Sequence, residues 1–172
     1  MTDNKQLKSW ITAIVSVIIL VLIDQYTKLL AIRHLKDQAS FILIENVFEL
    51  QYLENRGAAF GIMQNQRIFF VIITVVMLAV IGYFFQVTPK TKKYLPLNIS
   101  MIVIIAGAIG NFIDRIFRGF VVDFFYFSLI NFPIFNVADI YVTVTFFVLV
   151  ILLFFYYKDE DLAVYSRKER KA

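Results

Sequence analysis

Cysteine is absent from this chain. That rules out disulfides, thiol catalysis and cysteine metal sites, though it says little about compartment. Histidine occurs once, as His34 in the charged stretch "AIRHLKD", where it reads as a solvated side chain. Proline is scarce, with three residues, and glycine numbers six. There is no Gly/Ser linker, internal repeat or low-complexity tract. Nothing therefore divides the 172 residues, and 1–172 reads as one domain.

What the chain does have is apolar surface. Hydrophobic residues make up 60% of it and aromatic residues 17%, where a soluble domain is nearer half apolar. They gather into four blocks, roughly 10–32, 68–85, 97–113 and 137–157. Each approaches the ~20 residues a helix needs to cross ~30 Å of hydrocarbon. Backbone groups in lipid must be satisfied within the segment, so the blocks read as helices. The first block follows Lys5 and Lys8 like a signal peptide, but "DQYTK" comes after it rather than a small-x-small cleavage site, so it is kept as a span. The expected fold is a mainly α membrane protein with four transmembrane helices.

The connections set the expected orientation. "QVTPKTKKYLP" carries Lys90, Lys92 and Lys93 with no acid, the amino tail has Lys5 and Lys8, and the carboxyl tail has Lys158, Arg167, Lys168, Arg170 and Lys171. The positive-inside rule puts both termini and the Lys90 loop in the cytoplasm. The segments 33–67 and 114–136 then face outward. The first of these contains "SFILIENVFELQYLENRGAAFG", rich in Phe, Ile, Val, Leu and Tyr with partial alternation. That pattern predicts short strands in a small sheet at the membrane surface, although an interfacial helix fits a short apolar run too.

The polar residues within this apolar frame carry the chemistry. Asp24 and Lys28, in "DQYTK", are four apart on one helix face, close enough to pair. A lone charge at this depth costs ~3 kcal/mol on insertion scales, so the pair has a structural use, with substrate contact as the alternative. In "ENRGAAFG", Gly57 and Gly61 permit tight backbone geometry, Ala58 and Ala59 leave space, and Asn55 offers a donor and an acceptor. "GAIGNFIDR" combines small residues suited to close helix approach with Asn111 and Arg115 on one face. Asp114 falls on another face, where solvation at the boundary would account for it. Arg115 has three readings: a lipid phosphate, a carboxylate, or snorkelling to the interface.

Two aspartates remain. Asp139, in "FPIFNVAD", has a local explanation: Pro133 favours an extended approach, Asn136 suits an N-cap, and Asp139 becomes the third helical residue, where the helix dipole favours its charge. Asp123, in "GFVVDFF", has no such explanation, with only Arg115 and Arg118 near in sequence. Two carboxylates within hydrogen-bonding reach share a proton. Such a pair can activate water and protonate a carbonyl or leaving amine, as in aspartic proteases. A proton- or cation-coupled carrier would also use buried Asp beside Arg, so spacing alone leaves both open. A transporter should show repeated halves or midplane charge; a non-catalytic assembly protein has no need of Asp123.

Taken together, "DQYTK", "NRGAAFG", "GAIGNFIDR", "GFVVDF" and "FPIFNVAD", in this order across four spans, closely resemble the lipoprotein signal peptidase (signal peptidase II) family. The resemblance runs from the first span into the fourth, and it implies a small extracytoplasmic β-like cradle in the first outer loop, through Phe41–Leu53. It implies a multi-pass aspartyl endopeptidase of the bacterial plasma membrane, active near the outer face without a cofactor or metal. It implies substrates that are prolipoproteins, cut just before a diacylglyceryl-modified cysteine, and inhibition by cyclic peptides of the globomycin type. Membrane lipids are implied as partners, nucleic acid is not. Asp123 and Asp139 fall on the family's catalytic aspartates. Asp24, Lys28, Asn55, Gly57, Asn111, Arg115, Asn136 and Ala138 fall on positions that shape the site, hold the dyad or contact substrate. Ile140 and Thr145 depart from the Ser and Gly usual after the second aspartate, and "FFYFSLIN" is less polar than the stretch that often follows the first. These departures bear on local packing and substrate fit.

Overall fold

The computed structural model describes residues 2–57 and 63–165. Four long helices carry the apolar blocks: α1 (Thr2–Leu35), α2 (Arg67–Val87), α3 (Leu95–Phe117) and α4 (Val137–Ile151), the last continued by a π-helical turn, Leu152–Tyr156. All four are long and apolar enough to cross a membrane, over Gln6–Leu35, Arg67–Val87, Leu95–Phe117 and Val137–Tyr156. The expected blocks 10–32, 68–85 and 97–113 lie within the first three of these helices, and the block 137–157 coincides with the fourth to within one residue. A short helix, α5 (Asp159–Leu162), follows.

Burial is inverted relative to a water-soluble domain. Ile18, Ile72, Ile99 and Phe147 are exposed along the four helices, whereas Asp24, Lys28, Asp114 and Asn136 have no exposed surface at all. Apolar side chains cost nothing against lipid, while polar ones there must find partners inside the protein.

The strands form the expected cradle, with one addition. β1 (Phe41–Ile44) and β2 (Phe48–Asn55) make an antiparallel hairpin from the first connection, so the strand reading holds over the interfacial-helix alternative. A third strand, β3 (Val121–Tyr126), comes from the connection between α3 and α4 and pairs antiparallel with β2, giving the order β1-β2-β3. The cradle is therefore not confined to the first loop. Its missing strand was hidden because Val121-Val122-Asp123-Phe124-Phe125 is a continuous apolar run broken by one acid, without alternation. Gly119, at φ +82°, ends α3 in the left-handed conformation and turns the chain into β3. Beyond β3 a 3-10 turn, Ser128–Ile130, closed by a left-handed Asn131, leads to Pro133, and Phe135 bridges back to Phe125 before α4 begins.

One end of the bundle gathers both ends of the described chain and the Lys90 loop. Trp10 Nε1 donates to Gln86 Oε1 at 2.7 Å, Tyr157 OH donates to the Lys93 carbonyl at 3.0 Å, and Lys93 pairs with Asp161. The sheet occupies the opposite end.

Helix contact is closest at α3. A Cβ on Gly110 would lie 2.5 Å from Asp24 Oδ2 and 3.3 Å from Ala138 Cβ; one on Gly107 would lie 2.7 Å from the Ala138 carbonyl oxygen. These glycines thus let α3 touch α1 and α4 together, as the small-residue pattern predicts. Gly110→Ala is expected to lower stability by about 1–3 kcal/mol, as overpacking does, read as detergent-solubilised unfolding. Gly82→Ala, where a Cβ meets nothing within 4 Å, should be neutral or stabilising by up to about 1 kcal/mol. Equal effects at the two sites would contradict this packing account.

Candidate active site

A buried cation organises the sheet end of the bundle. Lys28 Nζ lies 2.9 Å from Asp24 Oδ2 and 3.1 Å from Asp114 Oδ2, with every one of these side chains fully buried. Its third donor goes to Asn111 Oδ1, 2.8 Å away. The expected Asp24–Lys28 pair is thus present, enlarged by Asp114. The expectation of a solvated Asp114 is corrected: its Oδ2 accepts from the Val122 backbone N–H at 3.1 Å and its Oδ1 pairs with Arg118. Asp114 thereby ties α3 to β3 next to Asp123. Arg118, a candidate partner for Asp123 by sequence distance, is engaged by Asp114 and by Gln25 Oε1 at 3.0 Å instead.

Asp24 also secures the other half of the site. Its Oδ1 accepts from the Ala138 backbone N–H at 2.9 Å, taking one of the orphan donors at the start of α4. Ala138 is fully buried and small enough to sit against Gly110. Asn136 is the N-cap, as expected: its Oδ1 accepts from Asp139 N at 3.0 Å, and Asp139 Oδ2 accepts from Asn136 N at 3.1 Å, forming a reciprocal capping box.

Three asparagines hold the two remaining carboxylates, and each amide has its orientation dictated by a group that can only donate. Asn111 Oδ1 faces the Lys28 ammonium, which turns its Nδ2 to Asp139 Oδ1 at 2.8 Å. Asn136 Oδ1 faces a backbone N–H, so its Nδ2 reaches Asp123 Oδ1 at 2.6 Å and Asn111 Oδ1 at 3.2 Å. Asn55 Oδ1 accepts from Gly57 N at 3.0 Å, leaving its Nδ2 to donate to Asp123 Oδ2 at 2.9 Å. Asp123 and Asp139 are joined through Asn136, which serves one with its side chain and the other with its backbone.

Both carboxylates line one cleft of about 220 Å³, together with Asn55, Gly57, Asn111 and Arg115, closed on another side by Phe132–Phe135. Asp123 is 1% exposed and forms no ion pair among the described residues. Burial pushes its carboxyl up to about 7, the charge of Asp139 adds to this, and the Asn55 and Asn136 amides oppose it. Arg115 does not snorkel: its guanidinium lies over the Phe70 ring, 4.8 Å from the centroid, and donates to the Gly57 carbonyl at 3.3 Å.

Every site residue expected from sequence therefore falls into one connected arrangement. Asp24, Lys28 and Ala138 form its buried support, and Asn55, Gly57, Asn111, Arg115, Asp123 and Asp139 face the cleft, with Asn136 between. Ala58, Ala59 and Gly61 of "ENRGAAFG" lie outside the described residues, as do the tail bases from Arg167 onward. Sequence reasoning passed over Gln25 and gave Asp114 and Arg118 no place in this arrangement. The available signal for Asp114 was the i, i+4 spacing to Arg118 and its place one helix turn past Gly110.

Lys28→Met would leave Asp24 buried without a cation and Asp114 with Arg118 alone. The expected cost is about 3–5 kcal/mol, the usual penalty for breaking a buried pair from one side, measured by unfolding of the solubilised protein. A loss under about 1 kcal/mol would mean that the cluster is not what holds this end together.

A family model described as signal peptidase (SPase) II matches residues 16–155. The chain is 46% identical over 133 residues to the lipoprotein signal peptidase of Caldanaerobacter subterraneus subsp. tengcongensis, covering 77% of this chain and 88% of that protein. It is 36% identical over 156 residues to the lipoprotein signal peptidase of Clostridium tetani, covering 89% and 99%. A bacterial membrane enzyme solved by the in meso method superimposes with a TM-score of 0.72 at 34% identity, covering 85% of this chain and 94% of that one. With four helices of spanning length and these relatives, the chain is a multi-pass membrane protein, and it belongs to the signal peptidase II family of proteases.

Proposed function

We propose that the chain is an aspartyl endopeptidase that removes signal peptides from prolipoproteins, cutting just before a diacylglyceryl-modified cysteine. The observation that carries this reading is the position of Asp123 and Asp139: two carboxylates on different elements, facing one cleft and bridged by Asn136. Its lipoprotein signal peptidase relatives supply the substrate class.

The chemistry needs one proton shared by the pair. The ionised carboxylate takes a proton from water as its oxygen attacks the scissile carbonyl, while the protonated one hydrogen-bonds and then protonates the carbonyl oxygen. As the tetrahedral intermediate collapses and the C–N bond breaks, one carboxyl gives its proton to the leaving amine while the other carboxylate takes a hydroxyl proton from the gem-diol, which restores the singly protonated pair. The raised Asp123 carboxyl suits retention of that proton. The helix N-terminus and the Asn111 amide suit a negative charge at Asp139. The dyad nevertheless titrates as a unit, so acid and base roles belong to the pair. No cofactor, metal or nucleic acid has a part in these steps.

Gly57 and Arg115 line the same cleft as the dyad, and with Asn55 they are placed to orient an extended peptide. The signal helix would lie against the spans with the acyl chains in lipid, and cyclic peptides of the globomycin type would compete for the same cleft. Charge distribution supports insertion in the bacterial plasma membrane with both termini cytoplasmic and the dyad towards the outer face. Ile140 and Thr145 do not line the cleft, so these departures are expected to act on packing rather than on the reaction.

Asp123→Asn and Asp139→Asn are each expected to lower cleavage of a diacylglyceryl-modified prolipoprotein by about 10³-fold or more with folding retained. Full activity in either variant would sink the dyad. The pH–rate profile is expected to fall on the alkaline side with a midpoint near 7, because above the raised Asp123 carboxyl both groups are ionised and no acid remains. Stability should move the same way. The folded chain keeps a proton that the unfolded chain releases above the ordinary carboxylate range, so stability declines as pH rises towards about 7. A rate unchanged from pH 6 to 9 would contradict the proton-sharing mechanism.

A further inference from the structure

The end of the bundle opposite the dyad holds a second polar site. A cavity of about 380 Å³ lies between α1 and the α2–α3 connection, lined by Lys8, Ser9, Thr12, Lys90, Thr91 and Lys92 with Leu95 and Asn98. Three ammonium groups and three hydroxyls face it, and no carboxylate does. Among the described residues, none of these lysines forms an ion pair; the nearest acid–base pair joins Lys93 to Asp161.

Lys90 is the inner member. It is half-buried, its ammonium sits 3.7 Å from the centroid of the Phe85 ring, and it donates to Asn98 Oδ1 at 2.6 Å and to the Phe85 carbonyl. Neutral acceptors thus surround it with no anion to compensate its charge, and burial lowers its ammonium to about 8. A group fixed in this way is poised to gain from an incoming anion.

Phe85 also lines the adjoining hollow. There α1, α2 and α3 enclose an apolar furrow of about 290 Å³, lined by Trp10, Ile14, Ile18, Phe85, Ile102 and Ile109 among others. Asn98 of the polar cavity and Ile102 of the furrow are one turn apart on α3, and Ser9 and Ala13 stand in the same relation on α1. A cationic pocket thus sits at the mouth of an apolar furrow, on helices whose outer faces are apolar.

We infer that this cavity and furrow form a binding site for one anionic phospholipid, its phosphate among Lys8, Lys90 and Lys92 and an acyl chain along the Trp10–Ile109 furrow. Basic pockets between spans are a common means of holding such headgroups. The site is independent of the peptidase reading, since it shares no residue with the dyad cleft.

The full-length protein, purified in detergent and delipidated, would be titrated with phosphatidylglycerol, with phosphatidylcholine of the same acyl chains, or with inorganic phosphate. Native mass spectrometry and thermal unfolding would be read together. One phosphatidylglycerol per chain is expected to be retained and to raise the unfolding temperature; phosphatidylcholine and inorganic phosphate should do neither. Lys8→Gln with Lys92→Gln, both exposed, should weaken the lipid affinity roughly tenfold or more. Ile14→Trp, which crowds the furrow without changing charge, should weaken it too. Arg33→Gln, at the far end of α1, should not. Equal retention of phosphatidylcholine would overturn the headgroup assignment. Stabilisation by inorganic phosphate alone, with no effect of Ile14→Trp, would make this a free-anion site and overturn the lipid. Unchanged phosphatidylglycerol binding in the lysine double variant would overturn the site altogether.

Discussion

The sheet end of the molecule depends on one ammonium group. Lys28 is fully buried with Asp24, Asp114 and Asn111 around it, and these partners pass its constraint on to two further elements, α4 and β3. Asp24 holds the first turn of α4 through the Ala138 N–H, Asp114 holds the start of β3 through the Val122 N–H, and Asn111 holds the Asp139 carboxylate. Burying one cation with two carboxylates is a poor way to gain stability for its own sake, since apolar packing would serve as well or better. What the cluster supplies is position: the strand and the helix that carry Asp123 and Asp139 are referenced to the same point on α1.

That arrangement explains why small residues matter at α3. Asp24 can reach Ala138 only because nothing projects from Gly110 between them, where a Cβ would lie 2.5 Å from Asp24 Oδ2. Close helix approach is usually discussed as a source of dispersion energy in membranes. Here it also determines whether a carboxylate can act as an external cap for a neighbouring helix.

Much of this was legible in the sequence. Spans followed from apolar run length, and the Asn136–Asp139 capping box followed from residue type and a three-residue interval. The Asp24–Lys28 pair followed from helical spacing. Each depends on interactions local in sequence. The β3 strand was not legible, because its run of Val and Phe lacks the alternation that marks a half-exposed strand; it is covered on both faces at Val121–Phe124. Asp114 was misread for a related reason. Its partners, Lys28 and Val122, come from another helix and from a strand that had not been identified. Long-range polar closure is decided by topology, and helix-face arithmetic does not reach it. The two aspartates themselves stood out from sequence because one had a local partner and the other had none.

Asn136 has a mechanical consequence. Its backbone N–H and side-chain oxygen complete the first turn of α4, while its side-chain nitrogen holds Asp123. A single short side chain therefore spans the gap between the two carboxylates and acts as a ruler of fixed length. Drawing the strand away would strain or break that bond before it lengthened the gap appreciably, and losing Asn136 would fray the helix start as well. Spacing of the pair and integrity of the helix end are thus one degree of freedom, and the separation of the two carboxylates is calibrated by the covalent dimensions of one asparagine.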